Sequence, residues 1–204
     1  MSESPNPLRG AAFVLAAHTL DQLPADAGAE IAFAGRSNAG KSSALNALVG
    51  HGRLARTSKT PGRTQQLVVF NLPDGRRLID LPGYGYAKVP VAMREHWRET
   101  IDAYLRTRQS LCGLVLISDI RHALKEFDEQ MLGFCAAIQL PCVVLLSKAD
   151  KIARAQAATT QRTVEREIAD AAWPARTILF SATAGTGVAD ARVAAAALLQ
   201  VSRD

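Results

Sequence analysis

Short apolar runs alternate along this chain with longer stretches in which apolar residues recur every three or four positions. The runs fall at 11–17, 31–34, 66–72, 77–81, 114–117, 142–146 and 177–180, each the length of a strand. Pro73-Asp74-Gly75 stands between the third and fourth runs and has the chemistry of a tight turn, so those two read as a hairpin. Helical patterns fill the gaps. Residues 41–49 place Ala44, Leu45 and Leu48 on one face. Residues 91–108 carry an apolar stripe of Trp97, Ile101, Tyr104 and Leu105, in which Trp97 and Tyr104 read as core. Residues 124–138 repeat the pattern with Phe127, Met131, Phe134 and Cys135, and the alanine-rich stretches 152–172 and 188–201 complete the set. Alternating strand and helix predict a three-layer α/β fold, doubly wound. Its sheet is mostly parallel with one antiparallel strand pair from the hairpin, and helices cover both faces. Two stretches resist this scheme. Residues 51–63 are polar and basic, and residues 83–90 hold two glycines and two tyrosines. Both read as loops longer than a minimal connection, and such loops often carry function.

Composition narrows the class. A chain of 204 residues, 48% hydrophobic and 21% charged, fits one soluble globular domain. Within it, 1–29 read as an N-terminal extension with the first strand, and 30–204 as a nucleotide-binding core. Twenty-four Lys and Arg against 19 Asp and Glu give a net charge of +5, a modest excess. It favours polyanionic partners and is equally compatible with an ordinary basic surface. Cys112, Cys135 and Cys142 are odd in number, lie among apolar residues and show no metal-ligand spacing; buried reduced thiols in a reducing compartment are expected. No apolar run approaches the ~20 residues that cross a bilayer. Arg9 followed by 10–17 faintly resembles a signal segment, but the polar, proline-containing start argues for a first strand instead. These features predict a cytoplasmic protein without membrane contact, and the lack of an extended exposed apolar face predicts a monomer.

The chemistry begins at Gly35-Arg36-Ser37-Asn38-Ala39-Gly40-Lys41-Ser42, which satisfies the phosphate-binding loop pattern in full, between a strand and a helix. Glycines let the backbone curl so that successive N–H groups point at phosphate oxygens, and the helix N-terminus adds partial positive charge. Lys41 can reach the β- and γ-phosphates, and the Ser42 hydroxyl can ligate Mg²⁺. Asp80-Leu81-Pro82-Gly83 follows another strand. There Asp80 can hold Mg²⁺ through water, and the Gly83 N–H can sense the γ-phosphate. The base is read by Ser147-Lys148-Ala149-Asp150. The Asp150 carboxylate can accept from guanine N1–H and N2–H₂, a donor pair that adenine lacks, while Lys148 lays its stem along the base. Phe180-Ser181-Ala182 closes the set, with the Ala182 N–H available to guanine O6. Every motif lies at the C-terminal end of a predicted strand, where such sheets bind ligands. GTP and GDP are therefore the expected substrate and product. A P-loop ATPase or kinase is the first alternative, against which Asp150 speaks; a nucleotide-gated RNA-binding scaffold with incidental hydrolysis is the second.

Taken together, Gly35–Ser43, Thr60-Pro-Gly-Arg-Thr-Gln65 and Asp80-Leu-Pro-Gly-Tyr-Gly-Tyr86 resemble the YihA/YsxC (EngB) family of bacterial GTPases, within the TrmE-Era-EngA-EngB-septin-like translation-factor class. The resemblance covers nearly the whole chain. It implies a Ras-like G domain and a role in assembling the large ribosomal subunit, with effects on cell division and septation. It also makes Thr64 the switch threonine, contacting Mg²⁺ and γ-phosphate, and brings Ser43, Gly62, Arg63, Gln65 and Gln66 to the nucleotide. From the residues alone, Thr57 and Thr60 share that loop. Thr64 is preferred because it lies just before the strand at 66–72, which would fix its approach.

Lys41, Thr64 and Gly83 are thus the candidate catalytic set, and Ser42, Thr64 and Asp80 the candidate Mg²⁺ ligands. Ras-like enzymes place Gln directly after the D-x-x-G motif; here Tyr84 stands there, so slow intrinsic hydrolysis is expected. Asn38 admits two readings, a P-loop position that recruits K⁺ as a fixed charge or a residue that shapes the loop. Arg53, Arg56, Lys59 and Arg63 make 51–63 a basic segment able to meet ribosomal RNA, with Lys88, Arg94 and Arg98 extending it. Tyr84 and Tyr86 can stack on bases or pack on the domain.

Overall fold

The computed structural model describes residues 6–55, 66–84 and 91–200. Within these residues seven strands form one sheet in the order β1-β3-β4-β2-β5-β6-β7. They are β1 (Ala12–Ala17), β2 (Glu30–Gly35), β3 (Leu67–Asn71), β4 (Arg77–Asp80), β5 (Leu111–Asp119), β6 (Cys142–Ser147) and β7 (Ala175–Leu179). The predicted hairpin is β3–β4, with Val69 opposite Ile79. β3 also pairs antiparallel with the edge strand β1, so it is the one reversed strand of an otherwise parallel sheet.

Among the described residues five α-helices alternate with the strands: α1 (Lys41–Val49), α2 (Val91–Thr107), α3 (Glu126–Ala137), α4 (Arg154–Asp170) and α5 (Val188–Leu198). β2 and β6 are buried along their whole length, and β5 in all but its last residue, as befits parallel strands covered on both sides. The strands' alternating side chains feed two cores. On one face Ile31, Phe33, Val115, Ile117 and Phe180 meet Leu45 and Leu48 of α1 and Ala194 and Leu198 of α5. On the other, Ala32, Leu114, Leu116 and Val144 meet Tyr104 and Leu105 of α2, Leu132 and Cys135 of α3, and Val164 and Ile168 of α4. Tyr104 is fully buried, as its stripe predicts; the side chain of Trp97 lies outside the described residues. The three cysteines are free and buried. Among the described residues no helix is long and apolar enough to cross a membrane.

The α3 face departs from its pattern. Asp128, Leu132 and Cys135 are its buried residues, whereas Met131 and Phe134 are half-buried and Phe127 is exposed. The apolar stripe turns toward α2, where the Arg106 guanidinium lies over the Phe134 ring at 4.4 Å. It lines a cavity of about 270 Å³ with Tyr84, Ile101 and Leu105.

At the sheet edge where β2 and β4 begin, a buried ion cluster joins several segments. The Glu30 carboxylate is fully buried and accepts from Arg77 Nε at 2.8 Å, Arg108 Nε at 2.9 Å and the Tyr104 hydroxyl at 2.8 Å. Arg108 also donates to the Pro24 carbonyl at 2.9 Å and Arg77 to that of Ala27 at 2.5 Å, which ties the connector before β2 to the end of α2.

Candidate nucleotide-binding site

The opposite edge of the sheet gathers the polar motifs. β2 runs into the phosphate loop at Gly35, where a β-carbon would stand 2.6 Å from the Ile117 carbonyl oxygen; only glycine lets the loop leave so close to β5. Asn38 (φ 63°) and Gly40 (φ 98°) are both left-handed, and these two turns curl the chain into the first turn of α1. Lys41, 9% exposed, is ion-paired with Asp80 at the end of β4. Ser42 is half-buried beside it, and Ser43 is exposed. Ser43 lines a cavity of about 390 Å³ together with Asn46, Ala47, His51, Ala182 and Thr183.

Ser147 and Lys148, from the motif expected to read the base, brace the phosphate loop from behind. The Ser147 hydroxyl donates to the Ala39 carbonyl and the Lys148 ammonium to that of Asn38, both at 2.5 Å. Lys148, itself left-handed at φ 59°, also pairs with Asp119 Oδ2 at 2.9 Å. Burial pushes the Asp119 carboxyl up, but hydrogen bonds from Arg121 and Lys148 outweigh it and hold the group well below the usual carboxylate range. The Ala149 N–H donates to the Phe180 carbonyl at 3.1 Å, which pins the two base motifs together. Asp150 Oδ1 accepts from the Ser181 hydroxyl at 2.6 Å, and Oδ2 pairs with Lys151 at 3.0 Å. The Ser181 bond, then Lys151, lower the Asp150 pKa, so its carboxylate is ionised and aimed. Ser181 Oγ also accepts from the Ala184 N–H at 3.0 Å, which commits its hydrogen to Asp150.

The D-x-x-G turn lies against the phosphate loop. Leu81 N–H donates to the Phe33 carbonyl at 3.0 Å, and Ser37 N–H to the Tyr84 carbonyl at 2.9 Å. Arg36 and Tyr84 form an isolated parallel bridge, one more rung beyond the β2–β4 ladder. Gly83 is close enough that a β-carbon on it would touch the Gly35 oxygen and Ser37 nitrogen at 3.7 Å.

Several expectations need correction or relocation. Gln66, expected at the nucleotide, has its side-chain amide 2.7 Å from the His18 ring, beside β1. Leu81, Pro82 and Phe180 are buried, Leu81 and Phe180 at 1% exposure, so what they offer a ligand is main chain. Tyr84 packs on the domain through Asp128 and Phe127 rather than standing free to stack on a base. Gly62, Arg63, Thr64 and Gln65 lie outside the described residues, as do Arg56, Thr57, Lys59, Thr60, Tyr86, Lys88 and the side chains of Arg94 and Arg98.

The sequence reading missed three contributors. Asn46, one helical turn beyond Ser42 and 8% exposed, accepts from the Ala55 N–H at 2.7 Å and donates to the Ala55 carbonyl at 2.9 Å; it grips the segment after α1 as a neighbouring strand would. Asp119 ends β5 directly opposite Ser147, and its place at the C-terminal end of a strand was the available signal. Asp128 sits buried on an apolar helix face, where a charged residue always calls for a partner.

A curled loop at a helix N-terminus, a lysine beside a strand-end aspartate and an ionised carboxylate just past the end of β6 are the parts of a P-loop GTPase domain. The family model described as "50S ribosome-binding GTPase" matches residues 30–148. Over 183 residues the chain is 53% identical to the "Probable GTP-binding protein EngB" of Stenotrophomonas maltophilia (strain K279a), covering 89% of this chain and 92% of that one. It is 57% identical over 163 residues to the protein of the same name from Xylella fastidiosa (strain 9a5c), covering 80% of each. The crystal structure of a probable GTP-binding protein engB shares the fold, with a TM-score of 0.67 at 22% identity over 84% of this chain and 99% of that one. The chain belongs to the EngB family of GTP-binding proteins, and it is a GTPase.

Proposed function

We propose that this GTPase is a nucleotide switch acting on the large ribosomal subunit or its precursor during assembly, as a cytoplasmic monomer, and that normal cell division and septation depend on it. The observation that carries this reading is the match of residues 30–148 to a family model described by binding to the 50S ribosome. The net charge of +5 fits a partner rich in RNA phosphate. In this reading GTP favours a form that presents the basic segment around Arg53, Arg56, Lys59 and Arg63 to ribosomal RNA. Purified protein should co-sediment with large subunits more strongly with a non-hydrolysable GTP analogue than with GDP. Binding should weaken steeply from low to moderate salt. Equal binding with both nucleotides, or indifference to salt, would count against it.

The chemistry is charge neutralisation and positioning. The phosphate-loop amides and Lys41 hold the triphosphate, Gly83 and Thr64 contact the γ-phosphate, and Asp150 reads guanine. Among the described residues no group of three or more His, Cys, Asp or Glu could hold a metal ion. The donors at hand are the Ser42 hydroxyl and the Asp80 carboxylate. That sparse hard-oxygen set suits Mg²⁺, which keeps several waters and takes its other ligands from substrate phosphates. When bound, Mg²⁺ neutralises charge on the β- and γ-oxygens. Intrinsic hydrolysis is slow, because Tyr84 occupies the place after the D-x-x-G turn and its hydroxyl is committed to Asp128. Fast turnover by the isolated protein would contradict this. Asn38, at the loop's left-handed turn, recruits K⁺ as an added fixed charge; equal rates in K⁺ and Na⁺ buffers would refute that role.

A further inference from the structure

Tyr84 is held at both ends. Its carbonyl accepts from the Ser37 N–H of the phosphate loop at 2.9 Å, and its hydroxyl donates to Asp128 Oδ1 at 2.7 Å. Asp128 is no loose partner. It is 1% exposed in the first turn of α3, and its Oδ2 accepts from the Ser118 hydroxyl at 3.0 Å and the Lys125 N–H at 3.2 Å. Ser118 in turn accepts from the Leu124 N–H at 3.2 Å, fixing the entry to α3. Burial, then Asp128, push the Tyr84 phenol pKa well up, so its proton stays in place to donate. Tyr84 also packs against Phe127, with ring centroids 6.0 Å apart. One residue earlier stands Gly83, lying against Gly35 and Ser37.

We infer that Tyr84 is a positioning residue for γ-phosphate recognition: by bridging Ser37 and Asp128 it holds the Gly83 N–H in place before the nucleotide arrives. This rests on the reading of Gly83 as the γ-phosphate contact. Pre-organisation matters because a main-chain donor that must first be ordered gives up part of its binding free energy to that ordering. GDP lacks the γ-phosphate and would not feel the latch. The position filled by Gln in Ras-like enzymes therefore has a second use here, as an anchor between the phosphate loop and α3.

The test is titration calorimetry with GDP and with a non-hydrolysable GTP analogue on wild type, Tyr84→Phe, Asp128→Asn and the double variant. Tyr84→Phe removes one hydroxyl and should weaken the analogue at least about fivefold while moving GDP by less than about twofold, since hydrogen bonds to charged groups are among the strong ones. Asp128→Asn should weaken the analogue in the same selective way, and the double variant should do no worse than the poorer single one, as expected for two groups in one interaction. Equal losses for both nucleotides, no loss, or additive losses would overturn the proposal. Gly83→Pro separates the two readings, because proline carries no main-chain N–H at that position, and retained GDP binding shows that the variant folds. If this variant keeps the wild-type preference, Gly83 is not the contact and both readings fall. If it loses the preference while Tyr84→Phe does not, only the positioning role falls.

Discussion

Replacing Asp150 with asparagine exchanges one carboxylate oxygen for an amide NH₂ at the position proposed to read the base, and the structure dictates what that group would face. Ser181 Oγ accepts from the Ala184 N–H at 3.0 Å, so its hydrogen points to Asp150 Oδ1, 2.6 Å away. In Asp150→Asn the amide oxygen stays with Ser181, and the NH₂ group takes the place of Oδ2. Guanine would then bring two N–H donors to a site offering one occupied acceptor and a competing donor. Sites built to hydrogen-bond a substrate reject a mismatched partner by large factors, because polar groups are left unpaired. Here one of two charge-assisted bonds is lost and one donor is opposed, so GDP affinity should fall about 10²-fold or more. Xanthosine diphosphate carries a carbonyl in place of the 2-amino group and should gain what GDP loses. Calorimetry with both nucleotides on both proteins reads this directly. Far-ultraviolet circular dichroism and melting should be unchanged to within a few degrees, because Asp150 lies at the open edge of the sheet. A GDP loss below about tenfold, or no gain for the xanthine nucleotide, would refute the assignment of Asp150 to the base.

Three further outcomes follow from other parts of the molecule. Glu30→Gln removes the fully buried carboxylate that Arg77 and Arg108 share, leaving Arg108 its pairing with the more exposed Asp26 at 3.4 Å and Arg77 its bond to the Ala27 carbonyl. It should cost about 3 kcal/mol, or roughly 6–12 °C in melting temperature, with nucleotide affinity unchanged because the cluster is at the far edge of the sheet. Asn46→Ala strands the N–H and C=O of Ala55, itself 3% exposed. Urea denaturation should show a loss of about 2–4 kcal/mol, and hydrogen exchange at the Ala55 amide should quicken. Asp119 has a folded pKa below its unfolded one, so its ion pairs stabilise the fold fully above about pH 4 and progressively less as pH falls below that. The stability gap between wild type and Asp119→Asn should therefore narrow from pH 5 toward pH 2, and a gap that widened with acid would contradict the shift.

Most of the scaffold was legible because its central strands, β2, β4, β5 and β6, are buried on both faces and so appear as plain apolar runs. β5 shows where that signal stops. The run at 114–117 ends where Ser118 and Asp119 begin, yet the ladder continues through Ser118 opposite Leu146 and Asp119 opposite Ser147. Those two polar residues end a core strand because they work at its edge, Asp119 on Lys148 and Ser118 on Asp128. β3 was legible as half of a hairpin. Its second antiparallel partner, β1, was not, because pairing between strands some fifty residues apart leaves no local trace.

The site divided along the same line. Motifs whose chemistry is carried by the main chain and its spacing, such as Gly35–Ser42 and Asp80–Gly83, can be read from a string of letters. Residues that act through one distant partner cannot. Asn46 looks like any polar residue on a helix until Ala55 is seen in its grip. Asp128 is the informative middle case. A helical period places it among Leu132 and Cys135 on the face that is buried, where an unpartnered carboxylate would be strongly disfavoured. The only stable resolution is a set of donors, and the three it finds come from the D-x-x-G turn, the end of β5 and its own helix start. A buried carboxylate in an otherwise apolar helix face thus marks the joint at which the D-x-x-G turn meets the body of the domain.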